Sequence, residues 1–444
     1  MSVSEGKDGD DSMSMEIVTR YLQTAREKAS KWCLPGGSNW KNSKPVKVTN
    51  VGVIGGGTMG RAIAIAFSRA GYHTILVENN EQSMRICGEQ LEAVYAREEK
   101  LGRFTAVLTE KIRDRIHLTV DLSSLRECEL VVEAVFEKMQ LKMELFLKLD
   151  KICPAGTIFA TNTSSLDINK MASVLKNPSR LVGIHFFNPA HVIRTVEIVY
   201  GRHTSAESVA TAFSVSSAMK KVAVLVGNCP SFVFNRLLGV YLNQAEKLLY
   251  QYGMLPKDVD ALITAFGFPI GPFTMADLNG IDVLAFLKSE HNYPLTALEK
   301  ELLSRNRLGR KTGRGFYVYD AKTQAKVYDR EIEDIVERLS TNANHNIRLY
   351  CDADVLEFLL YPMVNEGFLC LEERMIEDEM LIDILFVLGF GWPLRTAGPM
   401  RWARSVGLEN IAERVAYWSK LEPDDRSYNL SRTFEVTLKK KSQL

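Results

Sequence analysis

The sequence is poor in several features that would narrow its class at once. Neither charge sign dominates: 55 Lys and Arg against 54 Asp and Glu leave a formal net charge of +1 over 444 residues, which gives no electrostatic case for a nucleic-acid partner. Its seven cysteines (Cys33, Cys87, Cys128, Cys153, Cys229, Cys351, Cys370) form no CxxC pair and no metal-ligand spacing. No metal and no disulfide framework are expected, and reduced thiols in an intracellular setting fit best. No apolar run approaches the roughly 20 residues of a membrane span; AIAIAF and ILFVLGF fall far short. The opening MSVSEGKDGDDSMS lacks the apolar core of a signal peptide. The expectation is a soluble protein that is not secreted. What remains is an ordinary globular composition, 46% hydrophobic and 25% charged, long enough for two or three domains of roughly 100–200 residues each.

Residues 1–13 are small, polar and acidic and read as disordered. Residues 14–45 read as a linker. Ile17, Val18, Tyr21, Leu22 and Ala25 predict an amphipathic helix over 15–32, and LPGGSNWKNSKP predicts a loop. From 46 to 229, short β-rich runs alternate with helical stretches: VKVTNVGVI, YHTILVENN, ELVVEAVFE, GTIFATNTSS, RLVGIHFFNP, TVEIVY and KKVAVLVGN. That alternation predicts an α/β domain of Rossmann type, a mostly parallel sheet with helices on both faces. Past Pro230 the pattern turns helical, and the stretch from Leu237 recurs in weaker form from Leu359. Asn243 matches Asn365, Gly267-Phe268 matches Gly389-Phe390, and Gly271-Pro272 matches Gly398-Pro399. Two copies do not make a solenoid, so a duplicated all-α C-terminal domain is expected over 230–320 and 351–430. A charged, then Asn-rich connector spans 321–350, and 431–444 reads as a tail.

Gly55-Gly56-Gly57-Thr58-Met59-Gly60 satisfies GxGxxG. The motif gains force from its context: it follows a strand, opens a helix with Gly71 as the expected C-cap, and is followed after a second strand by Glu78. Gly55 suits the tight turn, Gly57 a close approach of backbone to a pyrophosphate, and Gly60 close helix–strand packing. The helix N-terminus offers free N–H groups to phosphates. A carboxylate at Glu78 would accept hydrogen bonds from the adenosine ribose and repel a 2′-phosphate, which favours NAD over NADP. The bland alternative is a solvated glutamate at a strand end.

Ser164 in ATNTSS, His185 in GIHFFNP and Glu197 in RTVEIV fall at strand ends or turns of the same domain, where open α/β sheets bind their ligands. Oxidising an alcohol removes a proton from oxygen while hydride leaves carbon, and a neutral histidine suits the proton step. A carboxylate on its other ring nitrogen would fix the tautomer; spacing alone does not establish that pairing. By itself, a histidine beside two phenylalanines reads more plainly as a satisfied core residue.

HFFNPAHVIRTVEIV, ATNTSSLDI, VGNCPSFVFNRLL, FGFPIGPFTMADLNGIDV and GRKTGRGFYVYD together resemble the L-3-hydroxyacyl-CoA dehydrogenases over about residues 30–410. Within that family the chain is most like the dehydrogenase half of the peroxisomal bifunctional enzymes (enoyl-CoA hydratase/3-hydroxyacyl-CoA dehydrogenase), without the hydratase module. AREKASKWCLPGGSNWK is similar to the linker that precedes this half, and the second helical repeat is a trait of the multifunctional members. The resemblance implies NAD-dependent oxidation of (S)-3-hydroxyacyl-CoA to 3-oxoacyl-CoA in fatty acid β-oxidation. It assigns His185 as the base, Glu197 as its orienting partner, and Ser164 and Asn235 as hydrogen-bonding groups for the reacting oxygen and substrate. It carries NAD contacts onto Glu137, Lys142, Ser164, Asn188 and Lys311. Asn162 shares the NTSS turn without a separate role. Arg97, Lys100 and Arg103 are basic and nearby, and are candidates for CoA.

Family members carry Gly where this chain has Ser231, and a positive φ there would strain a serine. That departure motivates a second reading, a catalytically weakened acyl-CoA/NAD-binding protein of the same fold. In single-repeat members the helical domain makes a homodimer; a second copy taking the partner's place predicts a monomer. The chain closes KKKSQL, one residue from the Ser-Lys-Leu read by a peroxisomal import receptor. The peroxisome is therefore the expected compartment, with the cytoplasm or mitochondrial matrix as alternatives.

Overall fold

The computed structural model describes residues 15–290, 294–341 and 351–441. The disordered-terminus reading and the SQL tail lie outside the described residues. The chain divides into two compact units. One is Thr19–Val233 with Arg374–Phe390; the other is Phe234–Glu373 with Gly391–Leu444 and the segment ending at Val18.

The first unit is built on eight strands: β1 (Asn50–Ile54), β2 (His73–Val77), β3 (Ile116–Thr119), β4 (Leu130–Glu133), β5 (Ile158–Thr161), β6 (Leu181–Phe186), β7 (Thr195–Tyr200) and β8 (Val222–Gly227). Their order is β3-β2-β1-β4-β5-β6-β7-β8. Neighbours are parallel except β6 and β7, so the last two strands run against the other six. Seven helices accompany them in sequence: α1 (Met15–Ser30), α2 (Thr58–Ala70), α3 (Glu81–Lys100), α4 (Ala106–Arg115), α5 (Met139–Ile152), α6 (Ile168–Ala172) and α7 (Ala206–Ala218). Successive side chains of a strand point to opposite faces. Leu130 and Val132 accordingly join one buried cluster with Val53, Ile63 and Phe67, while Val131 joins another with Phe146, Leu149 and Phe159. Both faces are covered, as a parallel sheet requires. Gly71 ends α2 at φ 106°, a left-handed cap that glycine adopts without penalty.

The second unit is helical. Its elements come from α8 (Phe232–Tyr250), α9 (Pro256–Phe266), α10 (Pro272–Asn279), α11 (Ile281–Glu290), α12 (Ala297–Ser304), α13 (Arg330–Thr341), α14 (Asp352–Glu372), α16 (Pro399–Val406), α17 (Leu408–Leu421) and α18 (Arg432–Lys441). One helix of the second repeat, α15 (Glu379–Gly389), is counted with the sheet unit instead. There Gly227 N–H donates to Met375 O at 2.7 Å. A Cβ on Gly389 would meet the Phe187 ring at 2.9 Å, so that glycine permits the close approach of α15. The linker helix α1 docks on the same element: the Tyr21 hydroxyl donates to Asp383 at 2.6 Å, and Lys28 pairs with Asp378. Trp32 then stacks on Phe213 of α7. Part of the expected connector is the helix α13, and most of the expected tail is the helix α18. Among the described residues, no helix is long and apolar enough to cross a membrane.

Candidate active site

The carboxyl ends of the parallel strands share one edge of the sheet, and the glycine loop opens it. Gly55 leaves β1 at φ 95° with its N–H on Val77 O, 2.9 Å away. A Cβ on Gly60 would fall 1.7 Å from Gly55 O, whereas one on Gly57 would meet nothing within 4 Å. The loop is closed around Gly55 and Gly60 and open above Gly57. Gly57 caps α2 without any side-chain hydrogen bond, so the first N–H groups of that helix are left for a ligand. At the end of β2 the Glu78 carboxylate accepts the Gly56 N–H at 2.7 Å and the Asn79 N–H at 3.1 Å. Arg61 reaches back to Gly56 O, so both backbone polar groups of Gly56 are held by charged side chains. A β-strand, this loop and an acidic residue closing the next strand fit an adenine dinucleotide.

Beyond β4 lies a buried charge network that spacing had not revealed. Lys142 of α5 is 1% exposed. Its ammonium is 2.5 Å from Glu133 Oε1 and 3.1 Å from Glu137 Oε2. Glu133 also accepts the Val135 N–H at 2.8 Å and the Thr161 hydroxyl at 2.6 Å. Burial opposes charge on Lys142, and the two carboxylates outweigh it, so its pKa lies above the ordinary value. For Glu137, burial raises the pKa; Lys142 and hydrogen bonds from Thr163 and Ser164 overcome that and hold it below the carboxylate norm. The Ser164 N–H and hydroxyl reach Glu137 Oε1 at 2.9 and 3.4 Å. Glu137 thus orders the turn that carries Ser164. Lys142 acts from behind Glu137. Asn162 has a defined place too, its side-chain oxygen accepting the Phe186 N–H at 2.9 Å and tying β5 to β6.

The antiparallel pair β6–β7 sets His185 directly opposite Glu197. Their side chains meet, His185 Nδ1 to Glu197 Oε2, at 2.7 Å. Glu197 is 0% exposed and His185 5%, and Glu197 Oε1 also accepts the Val233 N–H at 3.2 Å. Phe187 stands edge-on to the imidazole, with ring centres 5.0 Å apart, and Phe232 lies tilted against it at 5.7 Å. A histidine held in this way presents Nε2 as its working nitrogen.

The sheet unit therefore brings together His185, Glu197, Ser164, Glu137 and Lys142, with the glycine loop and Glu78 along the same edge. Asn188 follows in the turn after β6 and is itself exposed. Asn235 and Lys311 belong to the helical unit, Asn235 in the first turns of α8 and Lys311 paired with Asp282. Of the candidate CoA residues, Arg97 and Arg103 are both turned onto Glu98. Ser231 adopts φ 63° and Phe232 φ 53°.

A dinucleotide-type fold with a buried imidazole–carboxylate pair at its ligand edge has the layout of an NAD-dependent dehydrogenase domain. Residues 50–229 match the family model for the 3-hydroxyacyl-CoA dehydrogenase NAD-binding domain, and 232–319 that for its C-terminal domain. The chain is 48% identical to the dehydrogenase part of multifunctional enzyme 1 from C. elegans, at a TM-score of 0.72 over 96% of this chain and 99% of that one. It is 35% identical to the Danio rerio peroxisomal bifunctional enzyme, covering 91% of this chain and 58% of that protein. It is 34% identical to the Arabidopsis thaliana peroxisomal fatty acid β-oxidation multifunctional protein, covering 85% of this chain and 53% of that protein. The chain belongs to the 3-hydroxyacyl-CoA dehydrogenase family. It spans a little over half the length of these multifunctional relatives.

Proposed function

We propose that the chain catalyses the NAD-dependent oxidation of (S)-3-hydroxyacyl-CoA to 3-oxoacyl-CoA in fatty acid β-oxidation. The observation that carries this reading is the buried His185–Glu197 pair at the ligand edge of a dinucleotide-binding sheet. Gly55, Gly57, Gly60, Glu78, Glu137 and Asn188, with Lys311 from the helical unit, would hold the cofactor, and NAD⁺ supplies the hydride acceptor when bound. His185 Nε2 takes the proton of the 3-hydroxyl as the C3 hydrogen departs as hydride. The Glu197 carboxylate fixes the Nδ1–H tautomer and stabilises the imidazolium as it forms. Ser164, on a turn ordered by Glu137, and Asn235 donate to the reacting oxygen, whose negative charge grows along the path.

The test is NADH oxidation with acetoacetyl-CoA, followed by absorbance. Native protein should turn over, and His185→Gln should lose roughly 10²–10⁴-fold in kcat while still binding NADH. Native protein that binds NADH and the CoA ester without turnover would overturn the reading. It would favour the weakened acyl-CoA/NAD-binding protein, for which the left-handed backbone at Ser231 is the motive. The peroxisome is the proposed compartment, supported by the peroxisomal relatives. An import receptor is the corresponding partner, and a reporter fused to the tail that stays diffuse would contradict it. A monomer is the proposed state, the second repeat standing in for a dimer partner; light scattering decides it.

A further inference from the structure

Lys221 stands just before β8 with its side chain buried, 9% exposed. Its ammonium donates to Ala190 O at 2.6 Å and also to Ile193 O. It lies 5.9 Å from the centre of the Phe186 ring. Both carbonyls belong to the segment 187–194 that connects β6 to β7. His191 of the same segment packs its ring edge-on against Phe104 and brings Nε2 to 3.4 Å from Glu98 Oε1 without making a hydrogen bond. Glu98 is in turn gripped by Arg97 and Arg103.

Hairpins whose register is set by their turn have connections of about two to five residues. A longer one needs side chains to fix it. The stake is high here, because a slip of one residue would turn either His185 or Glu197 to the other face.

We infer that Lys221 is a positioning residue for the His185–Glu197 pair, its charge pinning the Ala190 and Ile193 carbonyls and so the β6–β7 connection. The inference rests on the base assignment made under Proposed function.

Burial pushes the Lys221 pKa down from its ordinary 10.5 to about 8, and Arg69 of α2 adds to the effect. Arg69 is the charged group acting on the ammonium; β6 offers it the Phe186 ring and the connection offers carbonyls. As pH rises past about 8 the charge-assisted bonds become weaker neutral ones. Stability moves the other way. The folded-state pKa is below the unfolded one, so the unfolded chain holds the proton more tightly, and this group favours folding progressively between about pH 8 and 10.5. An alkaline fall in turnover from Lys221 is therefore not accompanied by melting on its account.

The experiment measures kcat for oxidation of 3-hydroxybutyryl-CoA by NAD⁺ from about pH 7 to about pH 10, with the melting temperature at each pH. Native kcat should fall above about pH 8. Lys221→Arg, which stays charged, should shift that fall to higher pH. Lys221→Met should lower kcat roughly 10- to 100-fold and flatten the profile. If Lys221→Met does not fold, the native and Lys221→Arg profiles carry the test. A flat native profile, or the same alkaline fall in Lys221→Arg as in native protein, overturns the inference. No turnover by native protein at any pH would instead sink the dehydrogenase reading, and the positioning role with it.

Discussion

In the sheet unit the buried Glu133 and Glu197 and the half-buried Glu137 each face a cation or an imidazole: Lys142 for Glu133 and Glu137, and His185 for Glu197. In the helical unit Glu299 likewise meets Lys288 at 2.7 Å, but Asp260 and Asp277 are held mainly by backbone N–H groups and tyrosine hydroxyls, with Lys326 3.6 Å from Asp260. Asp260 accepts the Phe273 and Thr274 N–H groups at 2.9 and 3.0 Å and the Tyr317 hydroxyl at 2.8 Å. Asp277 accepts the Phe316 and Tyr317 N–H groups at 2.8 and 3.0 Å and the Tyr319 hydroxyl at 2.9 Å. The two aspartates spend their lone pairs fastening the glycine-rich GRGFY segment to α9 and α10. The sheet carboxylates order the His185 imidazole and the turn that carries Ser164.

Two acids of the helical unit carry raised pKa values. Burial raises the Asp277 pKa to about 6 against its three hydrogen bonds. Burial likewise raises Glu246 of α8 to about 7, with Lys288 opposing the shift and Glu299 adding to it. An acid whose folded pKa lies above its unfolded value stabilises most at low pH, and that contribution is lost as pH rises through the folded pKa.

Four variants would break or sharpen this contrast. His185→Gln should cost roughly 10³-fold in kcat, about 4 kcal/mol, with little change in melting temperature; a comparable loss of stability would make the pair a fold element. Glu246→Gln should remove a fall in stability of about 3 kcal/mol between roughly pH 4.5 and 7, read by urea unfolding across that range. An unchanged pH dependence would refute the role given to Glu246. Asp277→Asn should destabilise by about 2–3 kcal/mol, because an amide satisfies fewer of the donors converging there. Its NADH dissociation constant should stay at the native value, and weakened NADH binding would contradict the division of labour. Ser231→Gly should stabilise by about 1 kcal/mol by relieving a left-handed serine. A destabilised glycine variant would mean the backbone there is not strained.

Much of the sheet unit was legible because its strands are apolar, β-branched and punctuated by glycine. The strand β3 was not: IHLT is short, only partly buried and adjoins the charged end of α4. The reversal of β7 leaves no mark in composition, so the cross-strand meeting of His185 and Glu197 had to come from the fold. Glu133 was missed because a carboxylate closing an apolar strand reads as a strand end, and its partner Lys142 lies on a different element. The repeat was visible, but not its consequence. Asp260 in the first copy holds its own unit's backbone, whereas Asp383 in the second accepts from Tyr21 of the linker helix, within the sheet unit. Periodicity reports which residues are apolar, not which neighbour they will meet.

The central claim is that His185 and Glu197 act as one device, and a double-mutant cycle on kcat tests it most directly. His185→Gln, Glu197→Gln and the double variant would be compared with native protein in NADH-dependent reduction of acetoacetyl-CoA. Groups that act as a unit are non-additive, so the double variant should be no slower than His185→Gln alone. Losses that multiply, or a Glu197→Gln protein as fast as native, would contradict the account.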